Sequence, residues 1–461
     1  MSKNSKKTAS LTQVLVVGMM LLLIGVGSVN GQRYAVANGN WNAAIWASTA
    51  NGLAGSATVP TSSDDVFIND NRSVTVNLAA SCNSLTISDG TNAASVVISG
   101  TNTLTVTNAI IIGNGTGNGD NKFINVGTGA LSCGSISMDN SGGNNWDCYV
   151  SISTGTVSVS GNITMNGTNA RNQIVFAGAG FLNVGGAISG GTISNASGGY
   201  TTLNRGTVNY NGANQTVGSY NYFNLTLSGS GTKTMQAGTT AIAGSLVLTG
   251  TASATLVANL AVAGNTNIGT GTTLDLSTFN ANRTTAGGTL AVAGTLMLGG
   301  TSGGQTGSNF PANYSTITLT GGIVNYDNAD GGQIIYAVPA YTTLTLGNTS
   351  GTQTAGGNLT ATTLNNNTNA ADILNMATYT LNATTVNNSG TIRTQNISGA
   401  PIPAGRTWGG TISYDATTGN QTVVAGTYTT LTLGNTSGTQ TAGGNLTATT
   451  LNNNANATSI L

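Results

Sequence analysis

Residues 341–367, YTTLTLGNTSGTQTAGGNLTATTLNNN, recur letter for letter at 428–454, an 87-residue offset. Self-similarity at a fixed period marks a repeat architecture, in which each unit buries its apolar face only by stacking on the next. Each copy sets Leu344-Thr-Leu346 (Leu431-Thr-Leu433 in the second) ahead of a polar turn. Further apolar positions follow at Leu359 and Leu364 (Leu446 and Leu451). Short strand, polar turn, short strand at a pitch of about 20 residues, as from Leu344 to Leu364, is what one coil of a β-solenoid requires. A diverged third copy lies upstream. Val208-Asn-Tyr210, Gln215, Tyr222 and Leu225-Thr-Leu227 align with Val324-Asn-Tyr326, Gln333, Tyr341 and Leu344-Thr-Leu346. Both sets align with Ile412-Ser-Tyr414, Gln421, Tyr428 and Leu431-Thr-Leu433. The strands keep their spacing and the turns vary, as stacked coils allow.

A chain of 461 residues ordinarily suggests two or three globular domains. Composition argues otherwise. Charged residues are 5%, there are 67 glycines, and histidine is absent. The usual fill of exposed helices is scarce, whereas Thr and Val favour strands. Low charge with high glycine also suits disorder, but the regular return of L-x-L, V-x-V and I-x-I pairs favours a packed, elongated core. Formal net charge is zero, and the basic residues outside the first few positions are scattered singly, which gives no footprint for nucleic acid.

Taken in order, residues 1–31 read as a secretory signal: Lys3, Lys6 and Lys7, an apolar run from Val14 to Val26, then the small Val29 and Gly31 before Gln32. The run is short of the ~20 residues a membrane span needs, so no span is expected after cleavage. Residues 32–70 differ in composition, with Trp41, Trp46, Pro60, Asp64 and Asp65, and read as an N-terminal cap over the open first coil. The rival reading makes Trp41 and Trp46 exposed rings that stack on a sugar ligand. Residues 71–200 carry short apolar triplets about every ten positions and read as a short-coil solenoid, and 201–461 as a solenoid of longer, diverged repeats. Cys133 and Cys148 can pair across neighbouring coils, leaving Cys82 over, or all three are small core residues. Leu461 falls in the middle of the 87-residue unit, with no counterpart to Asn375–Gly390, which leads to the expectation of a truncated end whose last coil frays.

Several of these stretches carry a resemblance. Asn309-Phe-Pro-Ala-Asn-Tyr-Ser-Thr316, Gly322-Ile-Val-Asn-Tyr326, Gln333 and Tyr341-Thr-Thr-Leu344, with Leu290 to Leu298 before them, are similar to the long secreted surface proteins of Bacteroidetes-type bacteria. The opening Trp41, Trp46, Pro60 and Asp64-Asp65-Val66 resembles their N-terminal region. The resemblance implies an adhesin-like, Thr/Asn/Gly-rich β-helical repeat protein. Members usually end in a sorting domain for type IX secretion, which this chain does not display.

Candidate chemistry is sparse. Glycoside hydrolysis needs two positioned carboxylates, and the nearest pairs are Asp64 with Asp65 and Asp327 with Asp330. Neighbours on a strand point to opposite faces, so Asp64 and Asp65 do not easily share a substrate. A lyase wants clustered bases, and Arg171, Arg205 and Lys233 are far apart in sequence. Without histidine, Ser-His-Asp and Cys-His catalysis are excluded. Gly113–Asn121 faintly resembles a calcium nonapeptide but holds one carboxylate, Asp120, and reads as a turn. Thr-x-Thr at Thr343/Thr345, Thr430/Thr432 and Thr447/Thr449 suits an ice or crystalline-glycan ladder, or simply the outward side of strands. The expectation is an all-β, right-handed parallel β-helix with an N-terminal cap, about 19 coils and roughly 90 Å long. It is expected to be secreted or on the outer cell surface, structural or adhesive and non-catalytic, with no metal or cofactor. Glycans or other surface proteins are the expected partners, and carbohydrate binding is the alternative function.

Overall fold

In the computed structural model the described residues are 31–453 apart from short gaps at 88–89, 91, 114–120, 141–146, 168–170, 196–204, 338 and 367–368. They are all-β, without a helix, and their strands stack in parallel as a β-solenoid of about 16 turns. Alternation drives each strand: Ser73–Val76 and Thr156–Val159 bury every second residue, so Thr and Ser face out while Val faces in. Three strands make one coil. Thr156–Val159, Ile163–Gly167 and Asn172–Phe176 form one, and Phe181–Val184, Ile188–Gly190 and Thr192–Asn195 lie directly above. Like stacks on like inside. Leu104, Leu131, Val157, Leu182, Val208 and Leu225 form one continuous buried column.

Coil length departs from expectation. In that column Leu104, Leu131, Val157, Leu182 and Val208 are register partners one coil apart. Each of these steps is longer than the pitch of the repeats. The triplets spaced about ten positions apart are therefore successive faces of one long coil, not separate coils. From Val208 to Leu225 the step shortens abruptly, and Leu246 and Thr266 then follow at close to the pitch of the repeats. The longer coils, below Val208 and again from Leu296 to Val324, are why about 16 turns replace the larger number expected.

The repeat copies occupy different sheets. Leu225 sits between Val208 and Leu246, Leu344 between Val324 and Leu364, and Leu431 between Ile412 and Leu451. These three ladders belong to a 17-stranded, a nine-stranded and a seven-stranded sheet respectively. After Leu344 the chain enters the seven-stranded sheet at Gln353, then climbs it through Leu374, Ile392 and Ile412 to Leu431. The 87-residue period is therefore four coils plus one face, and each copy is turned one face around the axis.

Inside each copy the aligned Tyr and Gln residues form the same buried node. The first tyrosine accepts from a backbone N–H and the second donates to the carbonyl of that same residue. For Tyr210 and Tyr222 the residue is Gly218 (3.1 and 2.6 Å). For Tyr414 and Tyr428 it is Val424 (3.1 and 2.6 Å). For Tyr326 and Tyr341 it is Tyr336, whose N–H lies 2.9 Å from the Tyr326 hydroxyl. The glutamine Nε2 donates to two carbonyls of the coil below: Val184 and Gly186 from Gln215, Leu298 and Gly300 from Gln333, Thr394 and Asn396 from Gln421. These bonds satisfy the polar groups that burial would otherwise penalise. Burial pushes the Tyr210 phenol up to about 12.

All three cysteines are free and buried. Cys82 and Cys133 flank Val106 in one inward column, whereas Cys148 lies in another sheet between Lys122 and Asn172. The Cys133–Cys148 pairing is thus corrected: the two point inward from different faces, and all three are core residues. Burial pushes each thiol up to about 12.

Candidate functional site

Trp41 and Trp46 are 1% and 0% exposed. Their rings meet edge to face at 5.1 Å, and Trp46 Nε1 donates to Trp41 O at 2.7 Å. The strand Gln32–Ala35 pairs antiparallel with Trp46–Ala47 and parallel with Asp65–Ile68, which carries the indoles into the core with Ala35 and Ile45. No ring face is open for a sugar, so the reading of these two residues as ligand contacts is corrected by their packing. Trp residues in a polar sequence can serve either purpose, and only the antiparallel fold-back decides between them.

The carboxylate pairs also separate. Asp64 is buried, accepts from the Thr61 N–H and hydroxyl at 2.8 and 2.7 Å, and pairs with Arg33 at 3.2 Å. Asp65 instead accepts from Asn83 and Ser84 at 2.8 and 2.6 Å. Asp330 is exposed, while Asp327 shares a cleft of about 310 Å³ with Asp275, Ser277 and Asn328. Burial, then the Asp275 charge, raises the Asp327 carboxyl above the ordinary carboxylate range. Asp275 is brought there by stacking alone, from more than one coil away.

Arg171 pairs with Asp147 at 3.3 Å, and the Arg205 guanidinium lies 5.2 Å from the centre of the Phe223 ring. Lys233 is fully buried. It stands where the other two copies have Gln353 and Gln440, each reaching the Oε1 of the glutamine one coil below at 3.0 and 3.2 Å. Lys233 Nζ reaches Gln215 Oε1 at 2.7 Å, and also donates to Gly212 O and Ala213 O at 2.6 and 2.7 Å. No carboxylate is among these partners, and burial lowers the amine to about 8. The second rung of the node, Lys233, Gln353 and Gln440, was legible in the alignment of the copies, since all three stand at nearly the same distance past the second tyrosine.

On the outside, a trough of about 410 Å³ runs over four coils, lined among others by Thr105, Ser132, Ser158, Ser160 and Asn183. Thr105, Ser132, Ser158 and Asn183 are register partners, one per coil. The trough lies where the strands Thr103–Ile112 and Ala130–Asn140 bend from one face to the next, with a register shift between Cys133 and Ser135. Gly134 permits the bend, since a Cβ there would sit 2.8 Å from Asn108 O. Asn183 Nδ2 donates to Ser158 Oγ at 3.3 Å, and Asn209 Nδ2 to Asn183 Oδ1 at 3.0 Å. The lining sets hydroxyl and amide groups beside the apolar Val106, Cys133 and Val159, with no charged side chain, and Phe181, 48% exposed, stands on the same outward side as Asn183.

The Thr-x-Thr pairs do not form one ladder. Thr343 and Thr345 lie in the nine-stranded sheet, Thr430, Thr432, Thr447 and Thr449 in the seven-stranded one. A flat crystalline ligand needs them on one face, and the turn of one face per repeat prevents that. Asp120 of the calcium-like segment, residues 1–30 of the proposed signal and Leu461 lie outside the described residues. Among the described residues no group of three His, Cys, Asp or Glu side chains could hold a metal ion, and no helix is long and apolar enough to cross a membrane. No protein family, curated protein or solved structure matches the chain.

Proposed function

We propose that this chain is a non-catalytic structural or adhesive rod, exported by its N-terminal signal and displayed at the cell surface. Its partners are glycans or other surface proteins. The observation that carries the reading is the stack of about 16 turns, with a mainly apolar interior and outward strand positions that are mostly Thr, Ser and Asn. Such a stack is stiff along its axis and only sparsely charged along its sides, which suits spacing and contact better than turnover. The fold-back at Trp41 and Trp46 covers the first coil in this reading. Surface labelling of intact cells with antibody against the purified chain, together with sequencing of the secreted N-terminus, tests it. Labelling and a start at Gln32 are expected; antigen found only after lysis would sink it.

A second reading is carbohydrate binding, and the neutral trough from Thr105 to Asn183 favours it over the buried indoles. A glycan array separates the two. Binding of neutral glycans that Ser158→Arg abolishes assigns a lectin role to the trough, and a blank array leaves the spacer.

A further inference from the structure

We propose that Lys233 and Gln215 condense into an intramolecular isopeptide bond that staples two adjacent coils. Three observations converge on this pair. The first is geometric. The two residues are register partners on neighbouring strands, and Lys233 Nζ lies 2.7 Å from Gln215 Oε1 in a site where Lys233 is 0% and Gln215 6% exposed. The second is polarisation. Gln215 Oε1 also accepts the Gly212 N–H at 2.7 Å, and Nε2 is held by Val184 O and Gly186 O at 2.8 and 2.7 Å. The amide is fixed in place, with a backbone donor on the oxygen where charge develops during attack. The third is chemical difference between otherwise equal copies. At the position of Lys233 the other two nodes carry Gln353 and Gln440, whose amides are not nucleophiles.

The step balances without a co-reactant. Lys233 Nζ, as the free amine, attacks Gln215 Cδ, and the carbonyl oxygen takes up the negative charge against the Gly212 N–H. A proton passes from the attacking nitrogen to Nε2, the Cδ–Nε2 bond breaks, ammonia leaves and the carbonyl re-forms. One C–N bond is made and one is broken, with no change in oxidation state. The burial that excludes water also lowers the amine to about 8, so free amine is present at mildly alkaline pH.

The position has a mechanical sense. The node spans the place where the coil step shortens, between Val208 and Leu225. A covalent link between the strands Gln215–Val217 and Thr232–Met235 holds that junction shut under tension along the rod. The chemistry does not depend on the adhesive reading.

Intact mass of the purified full chain, followed over time at mildly alkaline pH, tests the proposal. The wild type is expected to become lighter by one ammonia, and trypsin to stop cutting after Lys233. Lys233→Gln, which installs the residue found in both other copies and so preserves the node, is expected to keep that ammonia. An N-terminal Gln32 can lose ammonia by cyclising, but that loss is equal in both proteins, so only the difference between them counts. Equal masses for the two, with ready cleavage after Lys233 in the wild type, would overturn the bond.

Discussion

At the scale of single residues, burial and outward position decide what a substitution does. Leu344 is fully buried, and Thr345 beside it faces outward. Leu344→Asp places an unpaired charge in the core, which costs several kcal/mol, about 3 or more, whereas Thr345→Asp should stay within about 0.5 kcal/mol. Urea melts of the two variants check this, and equal losses would refute the strand register. The thiols give a second test. Cys82, Cys133 and Cys148 are buried and their acidities are pushed to about 12, so a thiol reagent should leave the folded chain unlabelled and modify all three once it is unfolded. Asp327 gives a test with pH. Its carboxyl is raised in the fold, so between the unfolded and folded pKa values the native state binds more protons, and stability falls as pH rises through that window. Asp327→Asn should therefore raise the melting temperature at neutral pH and flatten its decline from acid; a lower neutral melting temperature would contradict the assignment.

At the scale of elements, the same sequence does not have the same role in each copy. Gln353 and Gln440 come from identical stretches, yet Gln353 Oε1 accepts the buried Gln333 N–H at 3.0 Å, whereas Gln440 Oε1 has no partner. Gln353→Ala strips a buried donor and should cost about 1–3 kcal/mol, and Gln440→Ala distinctly less. Equal effects in thermal melts would mean that the two nodes are interchangeable. The difference comes from neighbours: copy two sits on the coil of Ile334–Ile335, copy three on that of Gln421–Val423.

At the scale of the whole molecule, about 16 turns at ~4.8 Å per strand make a rod of roughly 75 Å. Small-angle scattering should show a particle much longer than wide; a compact globule or a flexible-chain profile would be incompatible with the stack. Because the second copy lies five coils and one face beyond the first, and the third four coils and one face beyond the second, the outer surface points a new way in each copy, so the rod offers repeated contacts around its sides rather than along one flat face.

The amino-acid sequence by itself determined the all-β stack, its inward Leu, Val and Ile, and the Tyr–Gln–Tyr positions of the node. All of these follow from local alternation and from the 87-residue identity, which are properties of the chain read in line. The tertiary structure alone decided the rest. The coil length below Val208 depends on how many faces a coil has, which strand spacing does not reveal. The burial of Trp41 and Trp46 depends on an antiparallel fold-back. The meeting of Asp275 with Asp327, and of Lys233 with Gln215, depends on which residues lie one above another. In a stack, neighbours along the axis are set by the running length of every turn between them, and no local pattern carries that sum.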